Sequence, residues 1–339
     1  MKKYIIVLIS LIIGLIVLII IYQQVGIKDI FNQLSKLRWW QLFIIFFTSI
    51  IILSISISRW KFITEDLAHL KLPWVTMIKA RLGELAVSYF TPIMYLGGEG
   101  LRAYILENDK KIPLNISLSS ILVDRICEFI AAFIFIFFGA IFLVIEQSFI
   151  WGTLLFILAF IIFFLLYLII ELIGLGEGLL FIAKIFHLDK LPYQSKTIGQ
   201  TTVGERLFFL GNQADAYIRQ FHTKFYLAII FSCLSFIIWF WQTKLLLNFF
   251  GLSLSWGKIF IIKIILILSG FIPIPADLGA YEGAHVLAFK IFDLPAETSI
   301  ALSLVTRAFD LIWVSSGIFL VSHLVVKFLA KFSSFLKKS

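Results

Sequence analysis

Long apolar runs set the strongest constraint on this chain, because six of them come close to the length needed to cross a lipid bilayer. A helix spans the hydrocarbon core with about 20 residues. With 61% hydrophobic residues and a mean hydropathy of +1.02, the chain has more apolar surface than one soluble core could bury. We therefore predict an all-α polytopic membrane protein. The six predicted spans are 4–22, 39–58, 116–145, 149–173, 224–250 and 296–326.

Charge placement predicts the orientation of these spans. Lys2 and Lys3 precede the first run, and no small-residue cleavage site follows it, which indicates an uncleaved first span. If the N-terminus is inside, the inside segments hold 20 Lys and Arg residues and the outside segments hold 7. This bias predicts that both termini are cytoplasmic in a cell membrane. The net charge of +9 is then explained by topology, and no nucleic-acid partner is expected.

Two regions between the spans, 74–112 and 256–294, are too short or too charged to cross the membrane cleanly. Each has Pro and Gly at its centre, in TPIMYLGGEG and in FIPIPADLGAYEG. This pattern predicts two re-entrant helical hairpins. Irregular backbone at membrane depth is tolerated only where protein or a water-filled cavity satisfies its hydrogen bonds. The hairpins are therefore expected to mark an interior site.

The chain also repeats itself at one constant offset, so that its second half copies its first. Trp74 corresponds to Trp256, and LVDRICEFI at 122–130 corresponds to LVTRAFDLI at 304–312. Each copy would cross the membrane three times, with a hairpin between two of its spans. Because three is an odd number, the second copy is expected to insert upside down. Inverted repeats with broken helices at the midplane are typical of secondary transporters.

These patterns predict one transmembrane domain, residues 1–339. Its parts are repeat one at about 39–145, repeat two at about 224–326, and a cytoplasmic loop at 174–223 with an amphipathic segment around FIAKIF.

Arg125 and Arg307 occupy equivalent places in the two copies, each with an acid, Glu128 or Asp310, three residues later on the same helix face. An Arg inside a membrane costs about 2.5 to 3.5 kcal/mol, so each should face the protein interior and have a partner. One interpretation is that each Arg simply neutralises its own acid. The other is that both, helped by Arg102, surround a cavity and bind a phosphate through their guanidinium groups.

Four more acids, Glu99, Asp124, Asp277 and Glu282, lie at or beside the hairpin breaks. They could cap the second helix of each hairpin. Alternatively, they bind a cationic part of a substrate or carry protons. His285 lies three residues after Glu282, but one such pair is too little to predict a metal site, and no cofactor is expected.

Three motifs together resemble a known family: TPIMYLGGEGLRAYIL, LVDRICEF further along the chain, and FIPIPADLGAYEGAH. The chain resembles the flippase-like transmembrane family of the bacterial lysylphosphatidylglycerol synthases. That resemblance implies movement of a lipid and its polar head between leaflets. In the full synthases a soluble aminoacyl-transfer domain follows. Only KFLAKFSSFLKKS follows the segment that ends near His323 here, so we expect a stand-alone member without aminoacyl transfer. Members are also associated with polyprenyl-linked sugar pathways.

The predicted function is therefore translocation of an anionic or phosphate-bearing lipid, either a phospholipid or a polyprenyl-phosphate-linked one, across the cytoplasmic membrane. The expected partner is the lipid itself, with a lipid-biosynthesis enzyme as a further candidate. One alternative is a membrane enzyme that modifies a lipid head with Glu99, Glu282 or Asp310 as general base. Another is a noncatalytic partner of a lipid or glycan biosynthesis enzyme.

Overall fold

The computed structural model describes residues 2–91, 97–146, 149–168, 174–185, 189, 192–195 and 199–336. The described part is almost entirely helical. The helices of the N-terminal part are α1 (Lys2–Val25), α2 (Ile27–Leu34), α3 (Trp39–Ala68), α4 (Trp74–Ser88), α5 (Glu99–Lys110), α6 (Leu114–Glu146) and α7 (Phe149–Leu168). Then come α8 (Leu175–Ile185), the antiparallel strands β1 (Pro192–Ser195) and β2 (Gly199–Thr202), and α9 (Val203–Gln220). The C-terminal part holds α10 (His222–Phe249), α11 (Trp256–Ser269), α12 (Ala280–Ile291) and α13 (Ala296–Leu336).

Four predicted spans coincide with helices that are long and apolar enough to cross a membrane: α3, α6, α10 and the first 27 residues of α13. The chain is thus a polytopic helical membrane protein. The first predicted span, 4–22, is helical within α1, but the chain then turns by 79° into α2. Gly26 makes this turn with a φ of 89°, a conformation that favours glycine. Of the predicted span 149–173, the last five residues lie outside the described residues.

Both predicted breaks separate two helices. The first lies between α4 and α5, and its residues 92–96 lie outside the described part. The second lies between α11 and α12 and contains a single 3₁₀ turn, Pro275–Asp277. Ala276 and Asp277 both have left-handed backbone, with φ values of 55° and 49°. Two such non-glycine residues in a row cost energy, so contacts around the turn must hold it in place.

The order of helices α3 to α6 recurs in α10 to α13. Trp74 and Trp256 start α4 and α11, and Leu114 and Ala296 start α6 and α13, so both pairs of helices begin at the same offset between the copies. Two apolar clusters join the groups. Trp60, Met77, Leu101 and Ile105 of the first group pack in one cluster with Val321 of α13. Phe240, Ile262, Phe289 and Leu302 of the second group pack in the other with Ile45 of α3 and Phe135 of α6.

The predicted cytoplasmic loop 174–223 contains more structure than an amphipathic segment and a polar loop. The predicted segment forms α8, and α9 follows the β1–β2 hairpin. Thr202 and Glu205 form a capping box at the start of α9, with hydrogen bonds of 3.2 and 3.0 Å. Ala214 and Tyr217 then pack against Val123 of α6 in one apolar cluster, which attaches α9 to the helix bundle.

Candidate functional site

Four arginines and four acids form one network between α3, α4, α5 and α6, here called the first charge cluster. Its members are Arg59, Arg81, Arg102, Arg125, Glu84, Glu99, Asp124 and Glu128. The formal charges of these eight groups cancel. This balance lowers the cost of burying the cluster, because unpaired charge inside a membrane protein is costly.

The centre of the first charge cluster is fully buried. Asp124 accepts from Arg59 at 2.7 Å and from Arg102 at 2.8 Å. Glu84 pairs with Arg81 at 2.9 Å, with Arg102 at 3.1 Å and also with Arg125. Asp124 was expected beside a hairpin break, where it could cap a helix. It lies instead within α6 and bridges two arginines.

Arg125 and its remaining partners form the more accessible rim of this cluster. Arg125 donates to Glu128 at 2.6 Å, as its spacing predicts, and to Glu99 at 2.8 Å. Glu128 also accepts from Arg59 at 2.6 Å. The guanidinium groups are thus neutralised by acids of the protein itself, so the cluster mainly ties four helices together.

Arg307 is the centre of a second group of contacts, around the break between α11 and α12. Its Nε and its Nη2 each donate one hydrogen bond to Glu282 of α12. Nη1 donates to the carbonyl of Ala276 at 2.8 Å and to the Tyr89 hydroxyl at 3.3 Å, and Nη2 donates to the carbonyl of Asp277 at 3.0 Å. A guanidinium has five N–H donors, so all five are engaged. Arg307 therefore clamps the two strained residues of the break.

Glu282 has the capping role that its position predicts. Its Oε2 accepts from the backbone N–H of Gly279 at 2.9 Å, at the start of α12. Gly279 has a φ of 76°, and a Cβ there would lie 2.4 Å from the carbonyl oxygen of Gly14 in α1. Only glycine fits this conformation and this approach. Helix α1 therefore packs directly on the second break.

A cavity of about 420 Å³ lies beside Arg307, between α3 and α4 of the first group and α10 to α13 of the second. Asp277, Arg307 and Asp310 line it, together with aromatic rings such as Trp239 and Trp313. Its other polar walls are Ser49, Tyr89, Gln242, Tyr281 and Thr306. Gln242 is fixed by its amide nitrogen, which donates to Ile45, Thr48 and Ser49 at 2.8 to 2.9 Å.

Asp310 does not pair with Arg307, although it lies three residues later in α13. Within the described residues it has no ion pair and no hydrogen bond, and its side chain is exposed toward the cavity. Arg307 instead reaches across to Glu282. The two copies of the Arg-x-x-acid motif thus behave differently.

Of the nine predicted site residues, three line the cavity: Asp277, Arg307 and Asp310. Glu282 lies directly behind them through its bonds to Arg307. The other five belong to the first charge cluster: Glu99, Arg102, Asp124, Arg125 and Glu128. No ion pair between described residues joins the two groups, so they form two separate sites. His285 is buried, and its Nδ1 forms a hydrogen bond of 2.9 Å with the Tyr281 carbonyl.

Sequence reasoning missed Arg59, Arg81, Glu84 and Lys263. Arg81 and Lys263 occupy equivalent positions in the two copies, so the same offset that identified Arg125 and Arg307 would have found them. Lys263 of α11 is 2% exposed, and its Nζ lies 3.6 Å from the ring centroid of Trp239, which lines the cavity.

Comparison with known proteins gives two matches. The family model described as "Lysylphosphatidylglycerol synthase TM region" matches residues 7–317. The UPF0104 membrane protein MJ1595 of Methanocaldococcus jannaschii is 26% identical over 304 residues, which cover 88% of this chain and 89% of that protein. No solved structure matches the chain.

Proposed function

Because the chain belongs to the family of the lysylphosphatidylglycerol synthase TM region, we propose that it moves a phosphate-bearing lipid between the leaflets of its membrane. The observation that carries this proposal is the polar cavity beside Arg307 and Asp310. Asp310 lies near the middle of the 27-residue apolar stretch of α13. A carboxylate at that depth is costly unless it serves a pathway or a partner.

A lipid head must cross hydrocarbon that strongly disfavours its charge. A translocator therefore needs a polar chamber at membrane depth. The cavity supplies hydroxyl, amide and carboxylate groups from Ser49, Gln242, Tyr281 and Asp310. Its volume suits a small head group, whereas the acyl chains would remain in the surrounding bilayer.

We further propose that the two groups of helices form an inverted repeat with six crossings and two re-entrant hairpins. The equal offsets of α4 and α11, and of α6 and α13, support this. The cavity lies between the two groups, so rocking one group against the other would expose it to each leaflet in turn. The excess of Lys and Arg in the predicted inside segments favours a cytoplasmic N-terminus in the cell membrane.

In this proposal the two charge sites have different tasks. The first charge cluster locks α3 to α6 into one rigid body. Arg307 holds the second break in shape beside the cavity. The lipid head is expected at the cavity and not at Arg125, whose donors go to Glu84, Glu99 and Glu128.

The experiment is transport in reconstituted vesicles, with a phospholipid labelled on its acyl chain and a membrane-impermeant quencher outside. The variant Gly270→Trp should abolish movement because Gly270 lines the cavity. Near a Cβ added there, the structure places only the Ile267 carbonyl oxygen, at 3.4 Å. Leu268→Trp on the same helix is the matched control, since Leu268 is 47% exposed on the outer surface and does not line the cavity.

Equal transport by the Gly270→Trp variant and the control would reject the cavity as the path. A chemical product formed from the lipid by purified protein in detergent, where no leaflets exist, would favour a lipid-modifying enzyme instead. Loss of transport only on deletion within residues 174–223 would favour a noncatalytic partner protein.

A further inference from the structure

Arg307 and Arg125 have little capacity left for a ligand. All five N–H donors of Arg307 are bound to Glu282, Tyr89 and two backbone carbonyls. Arg125 donates to three different carboxylates. A phosphate could bind either group only by displacing protein partners that are already fixed.

Lys263 is a different kind of cation. Its side chain is 2% exposed, and no carboxylate of the described residues lies within ion-pair distance. Its Nζ contact is with the face of Trp239 at 3.6 Å, a cation–π interaction that compensates only part of the lost hydration. Lys263 does not itself line the cavity, but it precedes Leu266 and Ile267, which do, by three and four residues and so shares their face of α11, behind the ring of Trp239.

Asp310 provides the opposite charge. It lines the same cavity and, within the described residues, has neither an ion pair nor a hydrogen bond. Asp310 and Lys263 form no ion pair with each other. The site therefore offers an anionic position at the cavity wall and a cationic position behind Trp239.

We propose that the cavity is the binding site for a zwitterionic phospholipid head group, with Lys263 contacting the phosphate beside Trp239 and Asp310 contacting an amine. The proposal rests on lipid translocation as the proposed function and specifies its substrate class. Aromatic rings at Trp239, Trp313 and Tyr281 line the cavity and suit an ammonium group next to a carboxylate. A head group that carries phosphate but no amine would leave Asp310 facing the phosphate, which is unfavourable.

The test compares two acyl-labelled lipids in the vesicle assay, one with a phosphoethanolamine head and one with a phosphoglycerol head. Wild-type protein should move the ethanolamine lipid about tenfold faster, which corresponds to one charged contact of about 1.4 kcal/mol. Asp310→Asn should remove this preference, and phosphoglycerol transport should become faster because no carboxylate then faces the phosphate. Lys263→Met should slow both lipids, since both carry the phosphate.

Binding of short-chain versions of both lipids, measured by native mass spectrometry in detergent, separates this inference from the proposed function. If neither lipid moves, but the ethanolamine lipid binds and both variants weaken that binding, the proposed translocation is rejected and the proposed binding site is retained. If transport occurs with no head-group preference, or if Asp310→Asn slows both lipids equally, the zwitterion site is overturned. Melting temperatures of the variants show whether each one folds.

Discussion

The two groups of helices share an order of elements but differ in their charges, and the difference is located at the cavity. In the first group, Glu84 pairs with Arg81 three residues earlier at 2.9 Å. At the equivalent positions of the second group stand Leu266 and Lys263, so the cation is kept and its acid is lost. Four further members of the first charge cluster have uncharged counterparts in the second group: Arg59, Glu99, Arg102 and Asp124 become Trp241, Tyr281, Ala284 and Thr306.

The same substitutions explain why Asp310 is unpaired. Its counterpart Glu128 is held by Arg59, Arg81 and Arg125. In the second group the first of these positions is a tryptophan, and Arg307 has turned to Glu282. Leu266 and Thr306, which replace two acids, both line the cavity. Corresponding positions therefore hold a closed network of ion pairs in the first group and line an open polar cavity in the second.

Removing a carboxylate from the buried centre of the first charge cluster should have the largest effect on stability. Asp124→Asn leaves the buried Arg59 and Arg102 short of a carboxylate, and breaking a buried ion pair in this way costs about 3 to 5 kcal/mol. The melting temperature in detergent, followed by size-exclusion fluorescence, should fall sharply. The matched change Thr306→Val in the second group should cost no more than about 1.5 kcal/mol, the value of a single hydrogen bond. Equal losses of stability in the two variants would contradict the contrast between the first charge cluster and the cavity.

Replacing Arg307, which holds the second break in place, should have the next largest effect on stability. Arg307→Lys retains the charge but cannot supply five donors in a fixed plane. At least one of the carbonyls of Ala276 and Asp277 should lose its partner, at a cost of about 1 to 3 kcal/mol. Faster proteolysis within 270–279 in the folded variant would report the loosened break. A variant with wild-type stability and protease resistance would show that the charge alone, and not the guanidinium geometry, holds the turn.

The smallest expected effect on stability comes from restoring the missing acid. Leu266→Glu places a carboxylate three residues after Lys263, as Glu84 follows Arg81. It should neutralise the lysine and reduce transport about tenfold, the value of one charged contact of about 1.4 kcal/mol. Stability should change little, because the new pair offsets its own desolvation. Leu266→Gln is the control for size and polarity. Wild-type transport by the glutamate variant would mean that the free charge of Lys263 has no role.

Hydropathy and breaker residues predicted much of this fold. The start of α4, the limits of α6 and the two breaks all follow from local patterns, whereas the pairing of Arg125 with Arg307 follows from the repeat. The limits of α3 do not, because its predicted span ended at residue 58, just before Arg59. Hydropathy treats Arg59 as a surface charge, whereas Asp124 and Glu128 neutralise it inside the bundle. Only partners that are distant in sequence make it an interior residue.

The candidate site was predictable only in part for a similar reason. Arg307 and Asp310 were identified from the repeat, but their pairing was not, since Glu282 competes for the guanidinium through space. Lys263 was counted only among the seven basic residues of the outside segments, because nothing in the neighbouring sequence indicates that it lies against Trp239. Helix α9 had a readable signal in its capping box at Thr202 and Glu205, but its stability comes from packing on α6.

The most direct test of the central claim is a structure of the protein in bilayer discs that contain an ethanolamine-headed phospholipid. A head group in the cavity, with its phosphate at Lys263 and its amine at Asp310, is the predicted result. A head group bound at the first charge cluster, beside Arg125 and with the cavity of the second group empty, would contradict it.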